Sequence, residues 1–314
     1  MLANNNKMII NKLAKNSVKS NKKQYGILFF TIVLSAFMLF CVFTIGWTYL
    51  DSSRLQNTRL NGAEYDITTM NGFTSKQVKS LQSNKNIQNV GMESYAGFIK
   101  SSEFDNTVEI GLLWCDETFW NNLMSPARTK LDGHYPQNKN ELMVTKDILK
   151  ACGNENLSVG DSIVLTYENN TGVHTDKFVI SGIWDGYGDK SAGFVSKNFY
   201  DETGYDLKND GILCIKLNRN YVLPTTIQSL EKSLNFSDRQ IFAPTDYIEN
   251  SFKLLLGICG LALVICLSAY LLIYNILYLS ISGKIRYYGL LQSLGMTKKQ
   301  LVRFIIKQMI LVGI

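Results

Sequence analysis

The chain has 314 residues, of which 46% are hydrophobic, and its formal net charge is +6. These averages are typical of a soluble protein of one or two domains, but the charges are so unevenly distributed that the averages hide the main feature. Residues 1–23 and 284–314 carry twelve basic residues and no acid, whereas the 20 basic and 26 acidic residues between them give −6. The positive total is therefore no argument for nucleic-acid binding, and we expect no nucleic-acid partner.

The first 23 residues place apolar side chains at roughly helical spacing between lysines. Five apolar residues follow this pattern: Ile9, Ile10, Leu13, Ala14 and Val18. A helix with one apolar face and a lysine-rich polar face is typical of segments that lie on a membrane surface. The pattern predicts a cytoplasmic amphipathic helix over residues 1–23, lying on the inner surface of the membrane.

Two long runs contain no charged residue: residues 24–50, with 27 residues, and residues 254–283, with 30 residues. Roughly 20 apolar residues cross the hydrocarbon core, so both runs predict transmembrane helices. A secretory signal peptide is the alternative for the first run. That run is longer than the roughly 7 to 15 apolar residues of a signal core, and no small-x-small cleavage site closes it. The lysine-rich flanks place both chain ends in the cytoplasm by the positive-inside rule, and residues 51–253 outside.

Residues 51–253 are long enough to bury a core of their own and carry both strand and helix patterns. One strand-helix-strand passage begins with a strand over 64–70, continues with a helix opened by the capping box Thr74 to Gln77, and ends with strands over 90–100 and 107–115. A second passage has a strand over 212–217, a helix over 225–234 and a short strand over 239–242. We expect the two passages to pack together as one α+β subdomain.

A strand-rich insert over about 116–205 lies between the two passages. Its pattern predicts a turn at 133–136, a strand over 141–145, a helix over 146–151 that ends at Cys152 and Gly153, and a hairpin. The hairpin strands cover 162–167 and 177–183 and flank Asn169 to Gly172, where glycine suits a positive φ.

The sequence offers little that could support catalysis. His134 and His174 lie in predicted turns or loops without a metalloprotease or nucleophile motif nearby, and Asp185 to Asp189 resembles only a fragment of a calcium loop, for which a plain turn is the alternative. Outside the spans are three cysteines, Cys115, Cys152 and Cys214. No metal-ligand spacing connects them. We expect no catalytic residue, no metal and no cofactor in this chain.

Residues 284–303 follow the second span as a basic cytoplasmic segment. Ile285, Tyr288, Leu291 and Leu294 recur at every third residue and predict one apolar helix face, and Gly295 suits the end of that helix. The capping box Thr297 to Gln300 predicts a second helix. Residues 304–314 read as the start of a third span that the sequence does not complete, so we expect a longer protein.

This order of elements resembles the FtsX-like permeases of bacterial ABC transporters, including the MacB type. The resemblance is strongest at Lys284 to Arg286, Gly289 to Gly295 and Lys298 to Gln300. The large domain contributes further similar stretches: Asp132 to Pro136, Asn140 to Leu142, Leu157 to Asp161 and Phe178 to Ile183. Tyr287 and Tyr288 stand where many members have an acid beside the glycine, and Gln308 stands where they have an acid in the third span.

The resemblance implies an α+β membrane protein in which transmembrane helices flank a large extracytoplasmic α+β domain. It also implies a separate cytoplasmic ABC ATPase as partner and a second permease half or a homodimer, with no enzymatic activity in this chain. The segment after the second span would be the ATPase-coupling loop, with Arg286, Gly289, Leu291, Leu294, Gly295, Lys298, Lys299 and Gln300 as its site residues. Three alternatives stay open: a helix on the membrane without a partner, a membrane-anchored sensor or scaffold, and a membrane-tethered surface enzyme.

Overall fold

The computed structural model describes residues 7–100, 110–188 and 192–311. Its contacts divide the chain into two compact units, one that contains the residues up to Tyr49 and from Leu255 onward, and one that covers Leu50–Leu254. We call the first the membrane unit and the second the α+β domain.

The membrane unit is built from helices. Their bounds are α1 Lys7–Ser20, α2 Lys22–Asn61, α7 Asp246–Ser282, α8 Ile285–Ser293 and α9 Lys298–Ile310; the end of α2 after Tyr49 and the start of α7 before Leu255 belong to the α+β domain. Both α2 and α7 are long and apolar enough to cross a membrane, each with a mean hydropathy of 2.6 over its most apolar stretch. A Cβ built on Gly46 of α2 would lie only 2.6 Å from the Ile258 Cδ1 atom of α7. The missing side chain therefore lets these two helices approach closely, as small residues do between membrane helices.

The α+β domain contains one mixed sheet. Its strands among the described residues are β1 Ile67–Met70, β2 Ile87–Lys100, β3 Ile110–Cys115, β4 Arg128–Gly133, β5 Glu141–Val144, β6 Ser162–Asn169, β7 Gly172–Gly186, β8 Ala192–Val195, β9 Ile212–Leu217 and β10 Ile241–Pro244. In the described part of the domain, the α-helices that accompany them are α3 Ser75–Gln82, α4 Lys146–Ala151, α5 Lys197–Tyr200 and α6 Pro224–Ser233. The strand order is β10-β1-β9-β2-β3-β8-β5-β7-β4, and β6 pairs with β2 and β7. The β3–β8 and β5–β7 pairs are parallel and the others are antiparallel.

Alternation along β9 explains how the sheet separates two cores. Leu213, Ile215 and Leu217 face one side, where they pack with Leu81 of α3 and Leu230 of α6. Cys214 faces the other side and packs with a π-helical segment, Phe119–Leu123. Successive strand residues point to opposite faces, so a strand buried on both faces reads as a continuous apolar run.

The fold class is confirmed, since two long apolar helices flank an α+β domain. The capping box at Thr74 is confirmed, because the Gln77 backbone N–H donates to the Thr74 side chain while the Thr74 backbone N–H donates to the Gln77 side chain. The hairpin is also confirmed, because β6 and β7 pair antiparallel and Gly172 has a φ of +123°. Of the strand predicted over 107–115, residues 110–115 form β3 and residues 107–109 lie outside the described residues.

The sheet is continuous from the two strand-helix-strand passages into the strand-rich insert, because β2 pairs with both β9 and β6. The sequence pattern missed β4, whose side chains are mostly exposed, and β8, which has only four residues. The two strand-helix-strand passages do pack together, since β1 lies between β9 and β10.

Candidate functional site

The side chains that first suggested chemistry have local structural contacts. His134 contacts the Tyr135 carbonyl oxygen at 3.0 Å, and His174 contacts the Thr171 hydroxyl at 2.8 Å and stacks on Tyr167. Asp185 accepts a hydrogen bond from the Gly186 backbone N–H, whereas Asp189 lies outside the described residues. Within the described ranges, no three His, Cys, Asp or Glu side chains come together as a metal site.

The α8–α9 segment contains all eight predicted coupling residues, and its turn is fixed from both ends. Gly295 has a φ of +97°, which favours glycine, and its N–H donates to the Gln292 carbonyl oxygen at 3.0 Å. The Met296 N–H donates to the Leu291 carbonyl oxygen at 3.0 Å, which completes a Schellman motif. These two bonds satisfy carbonyl groups that would otherwise lack a partner at the end of α8.

The start of α9 is capped as the sequence predicts. The Gln300 N–H donates to the Thr297 hydroxyl at 3.3 Å, and the Thr297 N–H donates to the Gln300 Oε1 atom at 3.0 Å. Gln300 therefore closes a capping box and stabilises the start of α9 at this turn. Lys298 and Lys299 in the first turn of α9 are exposed.

The predicted apolar face of α8 is wrong in part. Tyr288 is buried and Leu291 is half-buried, but Ile285 is 64% exposed and Leu294 is 76% exposed. A repeat of three residues drifts around a helix of 3.6 residues per turn, so the ends of that row rotate away from the packed centre. Leu290, on the same side of the sequence pattern, is 59% exposed. The α8 helix therefore presents apolar side chains that no described part of the membrane unit covers.

The packed side of α8 contacts α1 and α9. Ile10 and Ala14 of α1, Tyr288 of α8 and Phe304 of α9 form a buried cluster. The Tyr288 and Phe304 rings meet edge to face, with centroids 6.4 Å apart. The expectation that α1 lies with its apolar face on the membrane is therefore wrong for Ile10 and Ala14, because α8 and α9 cover them. Hydrophobic periodicity shows that such a face needs burial, but it does not identify the surface that buries it.

Gly289 and Arg286 complete the exposed surface of α8. Apart from its own helix backbone, a Cβ built on Gly289 would meet no atom of the described residues within 4 Å, so packing among them does not require glycine at that position. Arg286 is also exposed. The glycine leaves room on the helix surface for another chain to come close to the backbone.

A polar contact near the start of α2 was missed at the sequence level. The Tyr25 hydroxyl donates to the Gln308 Oε1 atom at 2.9 Å, and Gln308 is only 3% exposed. The Lys284 Nζ atom lies 5.1 Å from the centre of the Tyr25 ring. The only signal in the sequence is Gln308 itself, because a polar side chain within an apolar stretch needs a polar partner. These contacts hold α2 and α9 together beside the start of α8.

Comparisons with known proteins support the resemblance at this segment. Residues 259–314 match the family described as FtsX-like permease C-terminal. This range includes every predicted coupling residue, so the resemblance to FtsX-like permeases is confirmed there. No curated protein sequence matches the chain significantly.

Three solved structures are similar over the α+β domain. The periplasmic region of MacB from Actinobacillus actinomycetemcomitans is 15% identical with a TM-score of 0.41, and the match covers 62% of this chain and 95% of that one. The extracellular domain of the noncanonic ABC-type transporter YknZ from Gram-positive bacteria is 10% identical with a TM-score of 0.37, covering 57% and 99%. A domain of a putative permease protein from Porphyromonas gingivalis is 10% identical with a TM-score of 0.36, covering 58% and 88%.

Proposed function

We propose that this chain is a permease subunit of a bacterial ABC transporter and that its α8–α9 segment binds a separate cytoplasmic ATPase. The observation that carries the proposal is the exposed apolar surface of α8 within the segment that matches FtsX-like permeases. Leu294 and Leu290 are large apolar side chains on a helix flanked by exposed basic residues. Exposed apolar groups with a polar rim are typical of protein interaction sites.

The charge distribution supports the orientation that this function needs. Every charged residue in 1–23 and 284–314 is basic, so by the positive-inside rule α1, α8 and the first turn of α9 lie in the cytoplasm, before the third span expected from residue 304. The α+β domain then lies outside, and the protein is a multi-pass protein of the cell membrane. The sequence contains no phosphate-binding loop. The pair Gly283 and Lys284 matches the end of that motif, but the first glycine of the motif is missing before it, and Ile285 stands where Ser or Thr is required. ATP hydrolysis therefore belongs to the partner.

The mechanism follows from the helices that leave the site. Closure of two ATPase subunits would move α8, and α7, a continuous helix from Asp246 to Ser282, would carry that movement along the chain. The working unit contains a second permease half or a second copy of this chain. Its task is export or mechanical transmission, with an antimicrobial peptide, a lipid or a lipoprotein as the class of cargo.

The proposed function predicts that Leu294→Asp abolishes binding of the ATPase. Leu294 is 76% exposed, so the substitution leaves the folded chain intact but places a carboxylate in the apolar contact. Burying an unpaired charge costs several kcal/mol, which amounts to at least a hundredfold loss of affinity. The measurement is co-purification of an ATPase with the full-length gene product in mild detergent.

Position 291 is less informative for the same test. Leu291 packs against the α1–α9 cluster, so an acid there would disturb the fold as well as the contact.

Leu279→Asn, on a residue of α7 that is 67% exposed, is the control for Leu294→Asp and should leave capture of the ATPase unchanged. Absence of any ATPase with the wild-type chain, or equal capture by Leu294→Asp, would contradict the proposal. Such a result would make a membrane-anchored sensor or scaffold the better account.

A further inference from the structure

We infer that the amino-terminal helix α1 forms one wall of the ATPase-binding groove, which accepts an apolar side chain flanked by carboxylates. The inference rests on the proposed function and adds a second element to its binding site. The family match begins at residue 259, so α1 lies outside the segment that it covers.

The first step is that α1 has a fixed position beside the coupling segment. Ile10 is 7% exposed and Ala14 is fully buried, both against Tyr288 and Phe304. Leu13 packs against the same cluster from its edge. Full burial of an Ile side chain contributes about 1.5 to 3 kcal/mol, so this contact holds α1 in place before any partner arrives.

The second step is that α1 and the α8–α9 turn enclose a groove. The groove has a volume of about 250 Å³, and apolar side chains line it together with polar atoms; Ile9, Leu13, Leu291, Leu294, Met296 and Gln300 are among its residues. Ile9 remains 52% exposed on one side and Leu294 76% exposed on the other. Among the residues that the structure describes, no apolar neighbour covers these two side chains, so the groove is the place where a third group would complete their burial.

The third step is the charge around the groove. Lys298 and Lys299 lie between the lining residues Met296 and Gln300, Lys12 precedes Leu13, and all three are exposed. No acidic residue occurs in residues 1–23 or 284–314. Complementary charge therefore means carboxylates on the partner, beside the apolar group that enters the groove. A concave site with defined walls suits a protruding side chain of a protein better than the flat surface of a bilayer.

The test compares two substitutions on α1. Ile9→Asp places a carboxylate in the groove, whereas Met8→Asp places the same charge one residue earlier, on a side chain that is 83% exposed and does not line the groove. We expect Ile9→Asp to weaken capture of the ATPase at least tenfold and Met8→Asp to leave it unchanged. Titration of the detergent-solubilised full-length chain with the purified ATPase provides the affinities.

The outcomes separate this inference from the function on which it rests. Loss of binding with both Ile9→Asp and Leu294→Asp, but not with Met8→Asp, supports both. Loss with Leu294→Asp alone keeps the proposed function and overturns the role of α1, whereas no loss with either overturns both. An equal loss of affinity with Met8→Asp overturns the inference, because the effect would then not depend on whether the substituted residue lines the groove. No bilayer is present in detergent, so an Ile9 that contacts only lipid would leave the measured affinity unchanged and overturn the inference.

Discussion

Replacing Lys216 with Met is expected to lower the free energy of unfolding of the α+β domain by about 3 to 5 kcal/mol. Lys216 and Asp66 are 6% and 1% exposed, and the Lys216 Nζ atom lies 3.4 Å from the Asp66 Oδ2 atom. The same ammonium lies 3.2 Å from the Glu64 Oε1 atom. Without it, the Asp66 carboxylate stays buried with the Leu217 backbone N–H as its remaining donor, at 2.8 Å. A buried charge without a partner is costly because it has lost its water.

The measurement is denaturant unfolding of the detergent-solubilised chain followed by tryptophan fluorescence. Trp114, Trp120 and Trp184 belong to the α+β domain, so three of the four tryptophans report on it. Lys139→Met is the matched control, because it breaks an exposed ion pair with Glu202 and should cost no more than about 1 kcal/mol. The double variant Asp66→Asn, Lys216→Met should recover part of the loss. Equal costs for the two Lys→Met variants would contradict this description of the buried pair.

The Glu93 carboxyl is expected to make the α+β domain less stable as the pH rises from about 4.5 to about 7. Burial raises the pKa of Glu93 to about 7 from an ordinary value of 4.5, and the hydrogen bond from the Cys214 thiol, with Sγ and Oε1 3.6 Å apart, offsets this only in part. Between these two values the folded chain keeps a proton that the unfolded chain has lost, so the unfolding free energy falls with increasing pH. The full difference is about 3 kcal/mol.

The variant Glu93→Gln isolates this contribution. Burial also raises the pKa values of Asp66 and Asp116, so these two groups lower the stability of both proteins as the pH rises. The difference in pH dependence between wild type and Glu93→Gln therefore belongs to Glu93. Unfolding at pH 4 should give similar stabilities for the two proteins, whereas at pH 8 the variant should be more stable by up to about 3 kcal/mol. Glu117→Gln, on an exposed residue, should leave the slope of wild type unchanged. A parallel pH dependence of wild type and Glu93→Gln would exclude a half-buried Glu93 that keeps its proton in the folded domain.

Local patterns were sufficient for the elements that local chemistry determines. The capping boxes at Thr74 and Thr297, the helix end at Gly295 and the β6–β7 hairpin all depend on residues close together in the sequence. The β3–β8 pair is parallel and joins strands about 80 residues apart, so no turn signal announces it. The Asp66–Lys216 contact spans 150 positions, and its only sequence signal is a lysine within the apolar run of β9.

The sequence was sufficient to propose which residues form the candidate site, but not which of their side chains are exposed. Spacing and resemblance selected Arg286, Gly289 and Lys298, and these remain predictions that binding experiments must test. What the sequence could not supply is which side of α8 stays uncovered, because that depends on the packing of Ile10 and Ala14 against it. Tertiary contacts decide which side of an amphipathic helix is buried, and the start of α8 at Ile285 lies 265 positions after the end of α1 at Ser20.

The most direct test of the central claim is photo-crosslinking from position 294 in living cells. A photoreactive phenylalanine in place of Leu294 would lie on the exposed surface of α8, and the same residue in place of Leu279 would lie on the apolar surface of α7. The proposed function predicts that position 294 crosslinks to an ATPase subunit and that position 279 does not. Crosslinks from position 294 to lipid alone, with the ATPase expressed in the same cells, would contradict the claim that this surface couples the permease to its ATPase.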